Sequence, residues 1–359
     1  MADDTPDVRK GQPSVKLTRE EFERRLRERF YDPAFDAVTP HIDAIVDVAW
    51  KAYDDYDKQP RKKKAGSGFA DPEFELPIEW LAAREAIQAA EREYASPQSR
   101  DRVLLIAGAA RTDQTCPGEM SKTYRLAQMA REHFDAAGVE CDFLDLSVLT
   151  AEYGRQILPC KACVSTAMPL CNWPCSCYPN HALGQVNDWM NELYPRWVRA
   201  HGVMIVTPVY WYQAPSVLKL MMERLVCADG GNPDPTRTGG KDPARAKALE
   251  LEGWPFPRHL AGRVFTVVAH GDAAGAEGLR RNLTDWLRDM HLIEAGNASI
   301  DRYIGYYEPY ATSHAALDRD GALHEEVRQT AATLVDAVRL NRAGKLPQPG
   351  AGLEEPRPK

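Results

Sequence analysis

Two loops carry residue types that could bind a planar ligand bearing a phosphate. The first, residues 108–123, follows the apolar run 103–107 and is rich in small, polar and basic residues. Its candidate phosphate contacts are one arginine and three residues at the start of the next helix: Arg111, Ser121, Lys122 and Thr123. Helix N-termini offer an anion unpaired N–H groups and a favourable dipole. The loop therefore predicts a phosphate site, although Ser121 could equally be a helix cap and Lys122 a surface charge.

The glycine spacing of this loop excludes the two common nucleotide motifs. A dinucleotide fingerprint needs Gly-x-Gly-x-x-Gly, but Gly108 is followed by Ala-Ala-Arg. A P-loop needs glycine directly before its Lys-Ser/Thr pair and another glycine five residues earlier, and those places hold Ser121 and Cys116. The phosphate of a mononucleotide therefore fits this loop better than a dinucleotide or a nucleoside triphosphate.

The second loop begins after the apolar run 203–206 and is aromatic. Its candidate ligand contacts are five consecutive residues: Pro208, Val209, Tyr210, Trp211 and Tyr212. Three aromatic side chains at the end of a strand cannot all be buried in a narrow core. An isoalloxazine ring needs a flat apolar wall beside backbone N–H and C=O groups. The segment therefore predicts a flavin, with core or surface aromatics as the alternative.

A third loop, residues 269–278, contains small residues that let the backbone approach a ligand closely. His270, Gly271 and Asp272 are its candidate contacts with the ring or the substrate. A histidine here could also be a hydrogen-bonded loop residue. The chain shows no Ser/His/Asp triad or paired carboxylates, and we assign no catalytic residue, because a flavin itself carries out the electron transfer.

All three loops belong to one edge of a predicted parallel sheet. From residue 102 onward, short apolar runs alternate with amphipathic helical patterns, which is typical of α/β proteins. The predicted strands are residues 103–107, 140–144, 203–206, 264–269 and a fifth near 293–298. Such strands with helices on both faces form a doubly wound sheet, which binds ligands beyond the carboxyl ends of its strands.

Composition divides the rest of the chain. We predict a disordered N-terminus (1–15), a helical extension (16–100), the sheet domain (101–300), a C-terminal strap and helix (301–345) and a disordered tail (346–359). Two insertions, 160–180 and 229–258, interrupt the sheet domain. The extension has no chemical motif, which suggests a role in packing or dimerisation, and we expect a homo-oligomer. The tyrosine-rich segment 301–313 could fold over a cofactor or simply pack on the surface.

Charge and hydropathy exclude several kinds of partner. A net charge of -7 argues against nucleic-acid binding, which needs a basic surface. The acidic N-terminus lacks the pattern of a signal peptide, and no apolar run approaches the roughly 20 residues of a membrane span. We therefore expect a cytoplasmic protein with no membrane partner. In that compartment cysteines are thiols, metal ligands or redox groups more often than disulfides.

Five cysteines lie close together in the first insertion: Cys160, Cys163, Cys171, Cys175 and Cys177. Four thiolates suffice to hold an iron–sulfur cluster or a zinc ion. The segment therefore predicts a candidate metal site, and packed or redox-active thiols are the alternative.

The loops resemble those of the flavodoxin-like NAD(P)H-dependent FMN reductases over about residues 102–296. The first loop is similar to the family's Gly-Ser-x-Arg element and its phosphate-binding helix start, with an insertion between them. The matching residues are Gly108, Arg111, Ser121 and Thr123. Thr-Pro-Val-Tyr at 207–210 resembles the family's element beside the flavin, and residues 218–224 resemble the helix that follows it.

This resemblance implies a flavodoxin-like sheet of five strands in the order 2-1-3-4-5 and an FMN cofactor. NAD(P)H would deliver hydride to the flavin, and a quinone, metal ion, small molecule or protein would accept the electrons. The start of the cysteine segment resembles iron–sulfur flavoproteins, but Thr166 replaces their third cysteine. One alternative is therefore an iron–sulfur electron carrier without its own NAD(P)H site, and another is a non-enzymatic flavin-binding or interaction module.

Overall fold

The chain forms two compact units in a computed structural model that describes residues 6–55, 61–175 and 188–347. The first unit comprises Met1–Arg84, Lys161–Asp188 and Gly231–Pro255, and the second comprises Glu85–Cys160, Trp189–Gly230 and Phe256–Lys359. The first unit thus collects most of the N-terminal extension and most of both insertions, while residues 85–100 of the extension belong to the second unit. Of the termini predicted to be disordered, residues 1–5 and 348–359 lie outside the described residues.

From residue 102 onward the helices and strands follow the predicted alternation, and the extension 16–100 is helical as predicted but also contains an unpredicted pair of short antiparallel strands. The helices are α1 (Arg19–Arg27), α2 (Thr39–Asp54), α3 (Ile78–Ala95), α4 (Lys122–Ala136), α5 (Val148–Ala151), α6 (Met190–Arg199), α7 (Ser216–Arg224), α8 (Pro243–Leu251), α9 (Ala276–Asp289), α10 (Tyr310–Arg319) and α11 (Gly321–Arg342). The strands are β1 (Lys62–Lys64), β2 (Glu75–Pro77), β3 (Arg102–Ala107), β4 (Glu140–Asp145), β5 (Gly202–Pro208), β6 (Val264–Gly271), β7 (Ile293–Glu294) and β8 (Ile300–Tyr303). Each helix in the described ranges is too short or too polar to cross a membrane.

The second unit contains a parallel sheet in the order β4-β3-β5-β6-β7, with β8 also paired to β6. This is the flavodoxin-like order 2-1-3-4-5, so the predicted topology is confirmed. Strands β5 and β6 are buried along their whole length, as expected of central parallel strands covered on both faces. Helices α4 and α11 pack together over β3, β5 and β6. Helices α6 and α9 contact β3 and β6, respectively, and Trp197 packs edge-on against Trp286 between these two helices.

The fifth strand is not continuous, in contrast to the prediction of one strand near 293–298. Strand β7 pairs with the start of β6 and strand β8 with its end. Between them Gly296 and Asn297 both adopt a φ of 55°, which lies outside the extended region and interrupts the strand. The Ser299 hydroxyl accepts a hydrogen bond from the Val267 N–H at 3.1 Å and replaces the missing strand partner.

The start of β5 leaves no space for a side chain beneath α11. A Cβ atom on Gly202 would lie 2.8 Å from Val338 Cγ2 and 3.3 Å from Leu334 Cδ1. Both neighbours are buried side chains of the helix, so they have little freedom to move. Glycine at this position therefore sets how closely α11 packs on the sheet.

We expect Gly202→Ala to lower the free energy of unfolding by about 1–3 kcal/mol, because it overpacks this contact. Urea unfolding should show a smaller loss when the substitution is made in a Val338→Ala background, since that change removes the clashing methyl. Gly278→Ala on α9 is the matched control, because nothing lies within 4 Å of its new Cβ atom. Equal losses in both backgrounds would contradict this account of the packing.

Candidate functional site

A cavity of about 180 Å³ lies at the carboxyl ends of β3, β5 and β6, within the second unit. Ten of the twelve predicted cofactor contacts line it: Arg111, Ser121, Lys122, Thr123, Pro208, Val209, Tyr210, His270, Gly271 and Asp272. Loops far apart in the chain meet here because the strands before them are parallel neighbours. The structure therefore brings together the three loops that the sequence singled out.

Lys122 places a largely buried ammonium group at this cavity. Its side chain is only 10% exposed, and Nζ donates a hydrogen bond to the Ile304 carbonyl at 3.3 Å. The nearest carboxylate oxygen, on Asp272, is 3.9 Å away and belongs to a mostly exposed side chain. Burial lowers the pKa of Lys122, Asp272 opposes this shift, Arg111 adds to it, and Glu308 also opposes it. The cavity therefore carries a positive charge that is only weakly compensated.

The first turn of α4 adds backbone donors to this charge. Ser121 is the N-cap, and its hydroxyl accepts a hydrogen bond from the Tyr124 N–H at 3.1 Å. The N–H groups of Lys122 and Thr123 have no backbone acceptor in the part of the chain that the structure describes. The Ser121 hydroxyl only accepts a hydrogen bond in the cap, so its O–H is left to donate, and an anion here can bind that hydroxyl together with these two amides.

His270 is fully buried at the end of β6 and contacts the same helix. Its Nε2 lies 2.8 Å from the Thr123 hydroxyl. Burial, and secondarily the positive charge of Lys122, lower the pKa of His270 from 6.5 to about 3. The imidazole is therefore neutral at pH 7. Its contact with Thr123 matches the alternative in which His270 is a hydrogen-bonded residue. Contact with a ring or substrate remains a prediction.

The aromatic loop is a tight two-residue turn with unusual backbone. Tyr210 and Gln213 exchange reciprocal backbone hydrogen bonds of 2.9 Å. Between them, Trp211 and Tyr212 have φ values of 48° and 66°, which glycine and asparagine adopt far more readily than aromatic residues. Such conformations cost about 1–3 kcal/mol each, and they recur at functional sites. The turn presents Trp211 to solvent with 94% of its surface exposed.

Trp211 and Tyr212, the other two predicted contacts, do not line the first cavity. With Ala273 and Ala274 they border an open depression of about 470 Å³. This depression and the cavity share Val209, Tyr210 and Asp272 as lining residues. The predicted aromatic wall therefore adjoins the phosphate cavity instead of forming part of it.

The glycines of the third loop serve a purpose that differs from the predicted one. A Cβ atom on Gly271 would lie 2.5 Å from Val209 Cγ1, and one on Gly275 would lie 3.0 Å from the Tyr212 backbone. Their missing side chains thus let the aromatic loop pack closely against the third loop. At these two positions another group does approach the glycine backbone closely, as the sequence predicts. Among the described residues that group is the aromatic loop.

Four further residues line the cavity without having been predicted as contacts: Ala109, Tyr310, Ser313 and His314. Tyr310 and Ser313 belong to the tyrosine-rich segment 301–313, and His314 is the next residue. The phenol of Tyr310 donates a hydrogen bond to Glu119, and the Arg111 guanidinium lies 5.7 Å from the Tyr310 ring centroid. The i, i+3, i+4 spacing of the three residues on α10 is the signal that could have identified them.

The cysteine segment gives no metal site within the described residues. Cys160, Cys163, Cys171 and Cys175 belong to the residues that the structure describes, and Cys177 lies outside them. No group of three or more His, Cys, Asp or Glu side chains is arranged to hold a metal ion in the ranges that the structure covers. The predicted iron–sulfur or zinc site is therefore not confirmed.

Comparison with known proteins identifies the family of the chain. The family model described as NADPH-dependent FMN reductase matches residues 102–303, which is more than half of the chain. The chain belongs to this family. Membership makes it an FMN-dependent NAD(P)H oxidoreductase, as the loops predicted. The match does not place it in the iron–sulfur flavoprotein branch, and no curated protein matches it in sequence.

Solved structures with similar folds include several flavoproteins. RosB with the bound intermediate 8-demethyl-8-formylriboflavin-5′-phosphate is 15% identical over 68% of this chain and 81% of its own, with a TM-score of 0.47. An FMN-dependent NADH-azoreductase from Bacillus anthracis str. Ames Ancestor, in complex with FMN, is 13% identical over 65% and 99%, with a TM-score of 0.37. The NAD(P)H:(acceptor) oxidoreductase FerB from Paracoccus denitrificans is 13% identical over 67% and 98%, with a TM-score of 0.37.

We expect Trp211→Asn to raise the free energy of unfolding by about 1 kcal/mol, because asparagine tolerates the left-handed backbone and the exposed indole makes little packing. Urea unfolding measures the change. Tyr153→Asn, at a fully exposed tyrosine outside the left-handed region, is the control and should give no gain. A loss of stability in Trp211→Asn would show that the turn is not strained.

The depressed pKa of His270 predicts acid sensitivity. Between pH 6.5 and about 3 the unfolded chain binds a proton that the folded site does not, so the free energy of unfolding falls as pH falls. The contribution approaches about 1.4 kcal/mol per pH unit. In urea unfolding at pH 4.5–7.5, His270→Asn should lose less stability on acidification, whereas His41→Asn, at an exposed histidine, should behave as wild type. Identical slopes in all three proteins would contradict the assignment.

Proposed function

We propose that the cavity binds the phosphate of FMN, that the adjoining depression holds the isoalloxazine ring, and that the enzyme passes hydride from NAD(P)H to a small-molecule acceptor. The observation that carries this proposal is the buried, weakly compensated ammonium of Lys122 beside the N-terminus of α4, in a cavity continuous with an aromatic loop. A phosphomonoester satisfies the charge and a flavin ring satisfies the apolar wall.

The phosphate end of the site offers donors of three kinds. Lys122 supplies an ammonium group, Arg111 a guanidinium group, and the first turn of α4 supplies the unpaired N–H groups of Lys122 and Thr123. Charge-assisted hydrogen bonds of this type are about twice as strong as neutral ones. The aspartate facing Lys122 is mostly exposed, so a phosphate would compete with it easily.

The ring end of the site is bordered by residues that can contact both faces and edges of a planar molecule. Val209 and Tyr210 connect the two spaces, and the strained turn directs Trp211 and Tyr212 outward at the rim of the depression. The depression is open, so a second planar molecule can reach the ring. This access supports NAD(P)H and a small acceptor, such as a quinone or another small electrophile, as successive occupants.

Bound FMN supplies the hydride and electron transfer chemistry. The chain's own groups bind and orient: Lys122 and Arg111 hold the phosphate, and neutral His270 fixes Thr123 at the first turn of α4. Because burial keeps His270 uncharged, it adds no further positive charge to the cavity. No catalytic acid or base is assigned to the chain.

The iron–sulfur electron carrier requires a cluster in the cysteine segment. Among the described residues, no group of three or more His, Cys, Asp or Glu side chains is arranged to hold a metal ion, and Cys177 lies outside those residues. No specific observation favours this alternative, or the non-enzymatic module, over the oxidoreductase.

We expect Lys122→Met to weaken FMN binding by about 10- to 100-fold, because it removes a charge-assisted contact worth about 1.5–3 kcal/mol. Quenching of flavin fluorescence measures the affinity. Riboflavin, which lacks the phosphate, should bind wild type and variant equally. Lys219→Met removes an exposed, paired lysine on α7 and is the control.

Two results would contradict the proposal. The first is the absence of FMN binding and of NADH or NADPH oxidation by wild-type protein supplied with FMN and a quinone. The second is an equal effect of Lys122→Met on FMN and riboflavin, which would place the phosphate elsewhere.

A further inference from the structure

Helix α10 contributes to the phosphate cavity although it lies beyond the family match. The match ends at residue 303, and α10 begins at Tyr310. Its side chains Tyr310, Ser313 and His314 nevertheless line the same cavity as Arg111 and Lys122. The family resemblance therefore says nothing about these three residues, and their chemistry has to be derived from this chain.

His314 has a buried ring nitrogen without a hydrogen bond. Its side chain is 18% exposed, but Nε2 itself is inaccessible to solvent and has no hydrogen-bond partner among the described residues. The nearest carboxylate oxygen, Glu119 Oε1, is 3.8 Å away, which is too far for a hydrogen bond. A buried polar nitrogen left unsatisfied is costly. Because the side chain lines the cavity, a rotation of the ring that brings Nε2 to the cavity surface would let a ligand oxygen satisfy it.

The charged groups that face His314 come from two elements, α4 and the single loop that joins β3 to it. Arg111 lies in the loop after β3, Lys122 and Arg125 on α4, and Glu119 in the loop before α4; Tyr310, on its own helix, stacks edge-on against the ring. Burial lowers the pKa of His314, the three cationic residues act in the same direction, and Glu119 opposes them. The imidazole is therefore mainly neutral at pH 7 when the cavity holds no anion.

Contacts with α4 and with the loop before it hold helix α10 beside the predicted phosphate ligands. Arg125 on α4 forms an ion pair with Asp318, and the Tyr310 phenol donates to Glu119. Before the helix, Gly305 has a φ of 61° and approaches Ser313 so closely that a Cβ atom would lie 3.2 Å from its Cα. These contacts fix the position of His314 relative to the first turn of α4.

We propose that His314 is a further phosphate ligand of this site and that it takes up a proton from solvent when the phosphate binds. This inference rests on the proposed binding of FMN in this cavity. It gives the enzyme a specificity residue for the 5′-phosphate that lies outside the family's sequence match.

The physical basis of the proton uptake is that the surroundings of the His314 ring become more negative when phosphate binds. A phosphate dianion between Lys122, Arg111 and His314 offsets two of the three cations that disfavour the imidazolium. The pKa of His314 is thereby higher in the complex than in the free protein. By linkage, the extra affinity is fully present below the free pKa and is lost as pH rises through the pKa of the complex.

Calorimetric titration of FMN at pH 7.0, in buffers of different ionisation enthalpy, tests the proposal. Wild type should take up a substantial fraction of one proton, and His314→Gln should take up measurably less. His314→Gln should also bind FMN about tenfold more weakly at pH 7.0, with a smaller difference at pH 8.5, and should bind riboflavin as wild type does. The second ionisation of phosphate, near pH 6, lies below this range.

Two further variants separate ligation from structure. His314→Lys keeps a positive charge without the titration, so it should recover FMN affinity while proton uptake stays as low as in His314→Gln. His324→Gln is the matched control, because His324 supports the end of α10 through the Leu317 carbonyl, 2.8 Å from its Nε2. It should leave both affinity and proton uptake unchanged.

The outcomes are distinct. If wild type binds no FMN, the proposed function fails and this inference fails with it. If wild type binds FMN but His314→Gln matches it in affinity and proton uptake, only the inference about His314 fails. Equal weakening of FMN and riboflavin by His314→Gln would indicate a structural role and would also overturn the inference.

Discussion

The whole site depends on how closely three strand ends approach one another at one edge of the sheet. Gly108 leaves no room for a side chain beside Thr207, and Gly271 leaves none beside Val209. Because neighbouring parallel strands end at a similar level, the loops that follow them share one small space. The Lys122 ammonium lies in that space, where burial and the neighbouring charges together lower its pKa from that of an exposed lysine.

Much of this arrangement follows from sequence because it follows from topology. Buried parallel strands appear as apolar runs, and the alternation of such runs with helical patterns is sufficient to predict a parallel sheet and the edge at which ligands bind, whereas the strand order is implied by the family resemblance. The cavity is accordingly lined by residues that directly follow predicted strands, such as Pro208 and His270, or that begin a predicted helix, such as Lys122. Local patterns predict the strand or helix end at which each of these residues lies, and the parallel topology places those ends side by side.

What the sequence does not predict depends on contacts between distant residues. Trp211 and Tyr212 have low intrinsic preference for a left-handed backbone, and reciprocal hydrogen bonds between their neighbours define the turn. Where the fifth strand is interrupted, the Ser299 hydroxyl takes the place of a strand partner for Val267 on β6. No periodicity in the sequence predicts this contact. His314 belongs to a helix that follows the sheet, so its place in the cavity is decided by tertiary packing. The protonation states of His270 and His314 likewise depend on burial and on charges from other elements.

Neither compact unit is contiguous in the chain. The first is drawn from Met1–Arg84, Lys161–Asp188 and Gly231–Pro255, and the second from the segments between and after them. A ribosome must therefore deliver residue 255 before the first unit has all its parts, and by then β3, β4 and β5 of the other unit have already emerged. Folding cannot proceed one unit after the other from the N-terminus, as it usually does in multidomain chains. Contacts between residues far apart in sequence form slowly, so both units are completed late in synthesis. For the same reason, no single cut in the chain separates one unit from the other.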